Sequence, residues 1–151
     1  MHLAQVPGEV EYMQKAYGKG SVEFMHDLGY LSPNFVGIHC VFMTPEDITM
    51  MAESGAHMSH TAYLVGKRAY FPPMTEIYKQ GVNVSIGSDW LSNDVFKILR
   101  AAILLTRNQA HDVGILDAEK VLELATMGGA KALGLDKEIG SLQAGKKADL
   151  F

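Results

Sequence analysis

Apolar positions along this chain alternate between short runs and helical stripes, separated by turn residues. His2-Leu3-Ala4 reads as the end of a strand, and Gly8 to Tyr17 places Val10, Met13 and Tyr17 on one helical face. A second short helix is expected from Ser21, with Val22, Met25 and Leu28 turned inward. Phe35 to Val41 is a near-continuous apolar run, the pattern of a strand covered on both faces. Thr44-Pro45-Glu46-Asp47 then supplies an N-cap, a proline at the first helical position and two early carboxylates, ahead of the stripe Ile48, Met51 and Ala52. Gly55 should stop that helix, Ala56 to His60 is the next strand, and Thr61 to Phe71 is expected to be a long loop. Pro72-Pro73 opens a helix carrying Met74, Ile77 and Tyr78, with Gly81 as its stop. Val82 to Ile86 is a strand, Gly87-Ser88-Asp89-Trp90 its exit, and Val95 to Asn108 a helix. Asp117 caps a last helix whose Val121, Leu124, Ala125, Gly128 and Ala132 share a face, closed by Gly134, and Ala148 to Phe151 reads as the start of a further strand.

Strands alternating with helices through short connections imply a parallel sheet with right-handed crossovers. Two architectures fit, an open doubly wound sheet and part of a (β/α)8 barrel. The open sheet calls for a Gly-rich phosphate turn after its first strand, and none is present. Gly18-Lys19-Gly20-Ser21 lacks the P-loop spacing and follows a helix rather than a strand. A whole barrel needs roughly 200 residues or more, while the 151 residues hold only four strand-helix units. The expectation is therefore an α/β fold in which residues 1–151 form one unit, half of a barrel. No linker or charge block divides it.

Composition narrows the partners. With 48% hydrophobic and 20% charged residues the chain has the makeup of a globular core. A net charge of -4, with Lys and Arg scattered, offers no positive field for nucleic acid. No apolar stretch approaches the roughly 18 residues of a membrane span, and no signal peptide is evident, so the expectation is a cytoplasmic protein with no membrane partner. Cys40 is the lone cysteine, which rules out an intrachain disulfide and a thiolate cage; any metal must be held by His and carboxylate.

The six histidines make that possible. His2, His39 and His60 each end a separate predicted strand and Asp89 ends the fourth, so parallel pairing should bring all four to one rim, the catalytic face of a barrel. Two or three His plus one Asp, with a position open for water, is the ligand set of a catalytic Zn or Fe site. Such an ion makes hydroxide available near neutral pH, and hydrolysis is the natural reaction class. Because His2 stands almost at the N-terminus, the site begins where the chain begins and is expected to be incomplete. Cys40 should point away from His39, which disfavours a Cys-His pair; the nine Met read as core fillers, and His26, His57 and His111 as partnerless.

The order His2-Leu3-Ala4-Gln5 with Glu9-Val10, then Ile38-His39-Cys40-Val41, Ser59-His60, Gly81-Val82-Asn83-Val84-Ser85-Ile86-Gly87-Ser88-Asp89, and Gly140-Ser141-Leu142-Gln143-Ala144-Gly145-Lys146-Lys147-Ala148-Asp149-Leu150 resembles the amidohydrolase superfamily. The similarity is greatest to the branch of triazine chlorohydrolases and deaminases of S-adenosylhomocysteine, guanine and related heterocycles. The resemblance implies that the chain is the C-terminal part of such an enzyme, strands 5–8 with their helices, with residues 148–151 starting an accessory β-sandwich strand. It further implies one divalent metal, zinc before iron, bound by His2 and Asp89, with Asp89 also taking a proton from water and His39 contacting the attacking water or the substrate. Gln5, His39 and His60 are the implied substrate contacts, His60 being otherwise a hydrogen-bonded rim histidine, and the implied substrate is a small nitrogen heterocycle that loses an amino group or chlorine to metal-bound hydroxide. Trp90, directly after Asp89, either walls the substrate pocket or packs at the rim.

Three departures qualify the implication. The paired H-x-H ligands of the family's first strand are not in this chain, so the polypeptide by itself should not hold a complete site. Gln5 stands where relatives place a proton-shuttling Glu, and an amide cannot relay a proton. Thr61 to Phe71 departs from the family's N-P-x-S-N pattern; Tyr63, Lys67, Arg68 and Tyr70 are either contacts for an anionic or aromatic substrate or a solvated basic turn with packing aromatics. Two alternatives stay open: a non-catalytic half-barrel that pairs with a missing N-terminal half or with copies of itself through open strand edges, and a hydrolase of cyclic amides.

Overall fold

A computed structural model describes residues 1–149 as an α/β arrangement around one parallel sheet. The strands β1 (His2–Leu3), β2 (Val36–His39), β3 (His57–His60) and β4 (Asn83–Ile86) pair in sequential order. After β1 come α1 (Pro7–Tyr17) and α2 (Ser21–Asp27); after β2, α3 (Pro45–Ser54); after β3, α4 (Ala62–Lys67) and α5 (Met74–Lys79). After β4 come α6 (Val95–Ala110) and α7 (Ala118–Glu123), which runs through a π-helical turn, Leu124–Gly128, into α8 (Gly129–Ala132). Among the described residues no helix is long and apolar enough to cross a membrane.

Local chemistry accounts for most boundaries. Thr44 accepts from the Asp47 amide while Asp47 accepts from the Thr44 amide, a reciprocal capping box with Pro45 in the first turn. Asp94 and Asp117 cap α6 and α7 through the amides of Lys97 and Lys120. One face of the sheet is the core: Leu3, Met58 and Val84 pack with Ile48, Met51 and Ile77 from the helices. On the other face Val36, Ile38, His57, Ser59 and Asn83 are only half-buried. The apolar run at 35–41 predicts two covered faces, and the described chain covers one.

Four further expectations are corrected. Thr61 to Phe71 contains the helix α4, whose Ala62, Leu64 and Val65 are buried. It packs on α6, where a Cβ on Gly66 would overlap Leu105. Leu28 is not inward: α2 ends at Asp27, and Leu28 lies 56% exposed just before Gly29 turns left-handed at φ 72°. His57 has a partner, its Nε2 lying 3.0 Å from the Pro33 carbonyl. The strand expected over 148–151 is not formed at 148–149, and its last two positions lie outside the described residues.

The helix from 118 to 132 buries Val121, Leu124, Gly128 and Ala132 as its pattern predicts, with the π turn at its centre. A π turn releases a backbone carbonyl from the ordinary ladder. Here the Gly128 oxygen accepts from Asn83 Nδ2 of β4 at 3.0 Å. Gly128 must lack a side chain, because a Cβ would overlap the Val84 carbonyl oxygen.

Candidate active site

The parallel register sets His2 opposite Ile38 and Leu3 opposite His39, which places the first two histidines side by side at the strand ends. Their rings stack, with centroids 5.1 Å apart and planes 6° from parallel. Asp89, three residues past the end of β4, brings Oδ2 to 3.7 Å from His39 Nε2. That is longer than a hydrogen bond. The other ring nitrogen of His39, Nδ1, lies 2.7 Å from Thr61 Oγ1. His39 is fully buried, and its Nε2 has no hydrogen-bond partner among the described residues.

Backbone geometry turns these side chains off the sheet. Ala4, His39, Cys40 and Asp89 have φ of 46°, 75°, 50° and 54°. Left-handed conformations cost a non-glycine residue about 1–3 kcal/mol and persist where surrounding contacts enforce them. Those contacts are present: the amides of Val41 and Phe42 donate to the Ala4 carbonyl at 3.0 and 2.9 Å. Glu9, in the first turn of α1, accepts from the amides of Ala4 and Gln5 at 2.7 and 2.8 Å. Asp89 Oδ1 accepts from the Trp90 amide at 2.7 Å, which leaves Oδ2 toward His39.

Burial pushes the pKa of His39 down, the positive charges of His2 and Arg68 add to this, and the carboxylates of Asp89 and Glu9 oppose it. The net direction makes the imidazole neutral at pH 7, so its approach to Asp89 is not an ion pair. Burial lifts the Cys40 thiol to about 12, and the sulfur sits in the core rather than at the rim. A thiolate nucleophile has no basis there.

The remaining expected residues separate. Trp90 is at the rim and 78% exposed. Gln5 is half-buried beside β1 and is held through its amide. His60 is buried like His39, at 1% exposed. Lys67 and Lys97 both lie over the Tyr63 ring, 5.2 and 4.5 Å from its centroid, and Tyr70 packs edge-on against Phe42. Thr61 and Glu9 are structural partners to which the sequence assigns no role. Glu9 does carry a signal, a carboxylate in a first helical turn directly after a strand end. Thr61 carries none.

His2 and Asp89 are donors of the type a divalent zinc or iron takes, and His39 adds a buried ring nitrogen without a partner. Among the described residues, however, no group of three or more His, Cys, Asp or Glu is placed to hold a metal ion. The donors fit part of a metal site and do not complete it.

Comparison with known proteins adds relatives to this geometry. The family model described as "Amidohydrolase family" matches residues 1–151. The 5-methylthioadenosine/S-adenosylhomocysteine deaminase of Moorella thermoacetica is 40% identical over 156 aligned residues, covering 100% of this chain and 36% of that protein. The crystal structure of an adenosine deaminase from Xanthomonas campestris with bound zinc superposes with a TM-score of 0.94 at 32% identity, covering 98% of this chain and 35% of that one. A mutant of the atrazine chlorohydrolase from Arthrobacter aurescens, complexed with zinc and atraton, superposes at 0.86 with 26% identity over 97% of this chain and 34% of that one. The chain thus spans about a third of the length of the proteins it matches.

Proposed function

The chain belongs to the amidohydrolase family, and from that premise we propose that it contributes strands 5–8 of a (β/α)8 barrel to a metal-dependent hydrolase that removes an amino group or chlorine from a nitrogen heterocycle. The observation that carries the reading is the meeting of His2, His39 and Asp89 from three strand ends at one rim. The sequential strand order, with helices on one face and a half-covered second face, supports the barrel, whose interior that second face would line. Two relatives named as deaminases and one named as a chlorohydrolase support the reaction class.

His2 and Asp89 would hold the metal together with ligands from the other half of the barrel. When bound, a divalent ion supplies positive charge that polarises the substrate and makes water acidic near neutral pH. This chain's residues do the rest. In the tautomer that donates Nδ1–H to Thr61 Oγ1, His39 keeps a lone pair on Nε2, buried and free to accept a proton from the attacking water. Asp89 Oδ2, 3.7 Å from that nitrogen, is the second proton acceptor. In deamination the water oxygen bonds to the ring carbon, the C–N bond breaks, and the proton passes to the departing nitrogen. Gln5 cannot carry it, so His39 and Asp89 share the transfer. Gln5, half-buried, and Trp90, exposed at the rim, would be the contacts of a planar ring.

The test compares the chain alone with the chain mixed with a polypeptide that supplies an H-x-H strand and its half-barrel, each with zinc or iron. Metal content is measured after dialysis, and ammonia or chloride release from purines, pterins and chlorotriazines is followed. The mixture is expected to retain stoichiometric metal and turn over a heterocycle. Turnover of cyclic amides without ammonia or chloride would overturn the reading. Among the described residues no three donors cluster, which favours a second reading, in which this polypeptide by itself neither binds metal tightly nor turns over substrate. Its expected partner is then the other half of the barrel or a second copy at the open edges of β1 and β4.

A further inference from the structure

His60 is a buried histidine with no partner for either ring nitrogen among the described residues. Burial and the neighbouring His39 push its pKa down to about 4, so at pH 7 the ring is neutral, with one nitrogen a donor and the other an acceptor. Thr106 of α6, 2% exposed, has an unpartnered hydroxyl. Two other helical threonines behave differently. Thr49 bonds back to the Pro45 carbonyl at 3.0 Å and Thr126 to the Leu122 carbonyl at 2.8 Å, the usual refuge of a helical threonine. Thr106 does not take it. His60 and Thr106 instead line one small, partly open recess of about 10 Å³, whose walls include Val65, Met74, Leu105 and Gln109. A volume of roughly 10–15 Å³ is what one water molecule needs, and a buried water persists where 2–4 polar groups meet it.

We propose that one water molecule is a built-in component of this protein, bound between a ring nitrogen of His60 on β3 and the Thr106 hydroxyl on α6. Water can donate to or accept from either group, so it suits both tautomers of the imidazole. The residue after His60 is Thr61, whose hydroxyl holds His39 Nδ1 at 2.7 Å. Fixing the ring of His60 therefore fixes the end of β3 from which Thr61 orients His39. His60 acts as a positioning residue, anchored to α6 through the water.

The full chain and its Thr106→Val and Thr106→Ser variants test this. Valine keeps the volume of threonine and removes the hydroxyl; serine keeps the hydroxyl. High-resolution crystal structures of the native chain and of Thr106→Ser should show a single water within hydrogen-bond distance of His60 and the residue-106 hydroxyl, and Thr106→Val should lose it. In long-range proton–nitrogen NMR spectra, the His60 ring resonances should move in Thr106→Val, those of His39 should follow, and Thr106→Ser should restore both. A dry cavity in the native crystal overturns the proposal, as do His60 ring resonances identical in the native and valine proteins. Should Thr106→Val fail to fold, the native and serine structures still decide the matter. Neither readout depends on turnover, so failure here is distinct from failure of the deaminase reading.

Discussion

Acidification should destabilise this protein through His60 well before its carboxylates are all protonated. An unfolded histidine binds a proton near pH 6.5, whereas burial in the fold pushes His60 down to about 4. Above pH 6.5 the ring is neutral in both states and costs nothing. Between 6.5 and 4 the unfolded chain holds a proton that the folded chain refuses, so stability falls as pH falls. At about 1.36 kcal/mol per pH unit, the gap amounts to about 3 kcal/mol by pH 4. Below that the folded ring is protonated too, and the loss levels off. Against the roughly 5–15 kcal/mol that holds a domain together, this is a large fraction. Urea unfolding followed by circular dichroism at pH 7, 6, 5 and 4, on the native chain and His60→Gln, isolates the effect, because all other titrating groups are common to both. The native advantage over His60→Gln should shrink by about 3 kcal/mol between pH 7 and 4. A difference that stays flat across that range would refute the burial argument. His39 is pushed down as well and contributes in the same direction, and its share cancels in the comparison.

Other consequences are simpler to measure. Cys40, buried with its thiol near 12, should resist thiol-labelling reagents in the native protein and react once urea unfolds it; rapid native labelling would contradict its placement. Gly128→Ala forces a Cβ onto the Val84 carbonyl and should cost about 1–3 kcal/mol, read as a lower urea midpoint at unchanged slope. His39→Gln in the complemented enzyme should lower kcat by about 10²–10⁴ while metal content is retained, and equal loss of metal would move His39 from proton transfer to metal binding.

Much of the fold was legible because its signals are local. Thr44, Pro45 and Asp47 declare a helix start within four residues, and the structure forms the capping box they announce. The helix α4 was hidden because Thr61, which stands at its N-cap, spends its hydroxyl on His39 instead of on the helix. At the rim, the residue types at positions 2, 39 and 89 are visible in sequence, while the left-handed turns that aim His39 and Asp89 depend on contacts with Ala4 and Trp90. His60 shows the limit most plainly. Strand position puts it beside His39, yet the recess it faces is lined by Leu105 and Thr106, residues more than 40 positions later in the chain.

The π turn at Leu124–Gly128 bears on how this helix tolerates changes in length. A π turn holds one residue more than the α-helical turn it replaces, so a single-residue deletion there would leave an uninterrupted α-helix that folds without strain of its own. A deletion in a regular α-helix swings everything beyond it by about 100°. Here the turn takes up the residue within itself, so Ala130 and Ala132 would stay buried and Lys131 exposed. The Gly128 carbonyl would return to the ladder and Asn83 would lose its acceptor. The turn thus acts as a slack link: descendants of this chain can lose one residue within it while the last helix keeps the same side against β4, losing only the Asn83 contact.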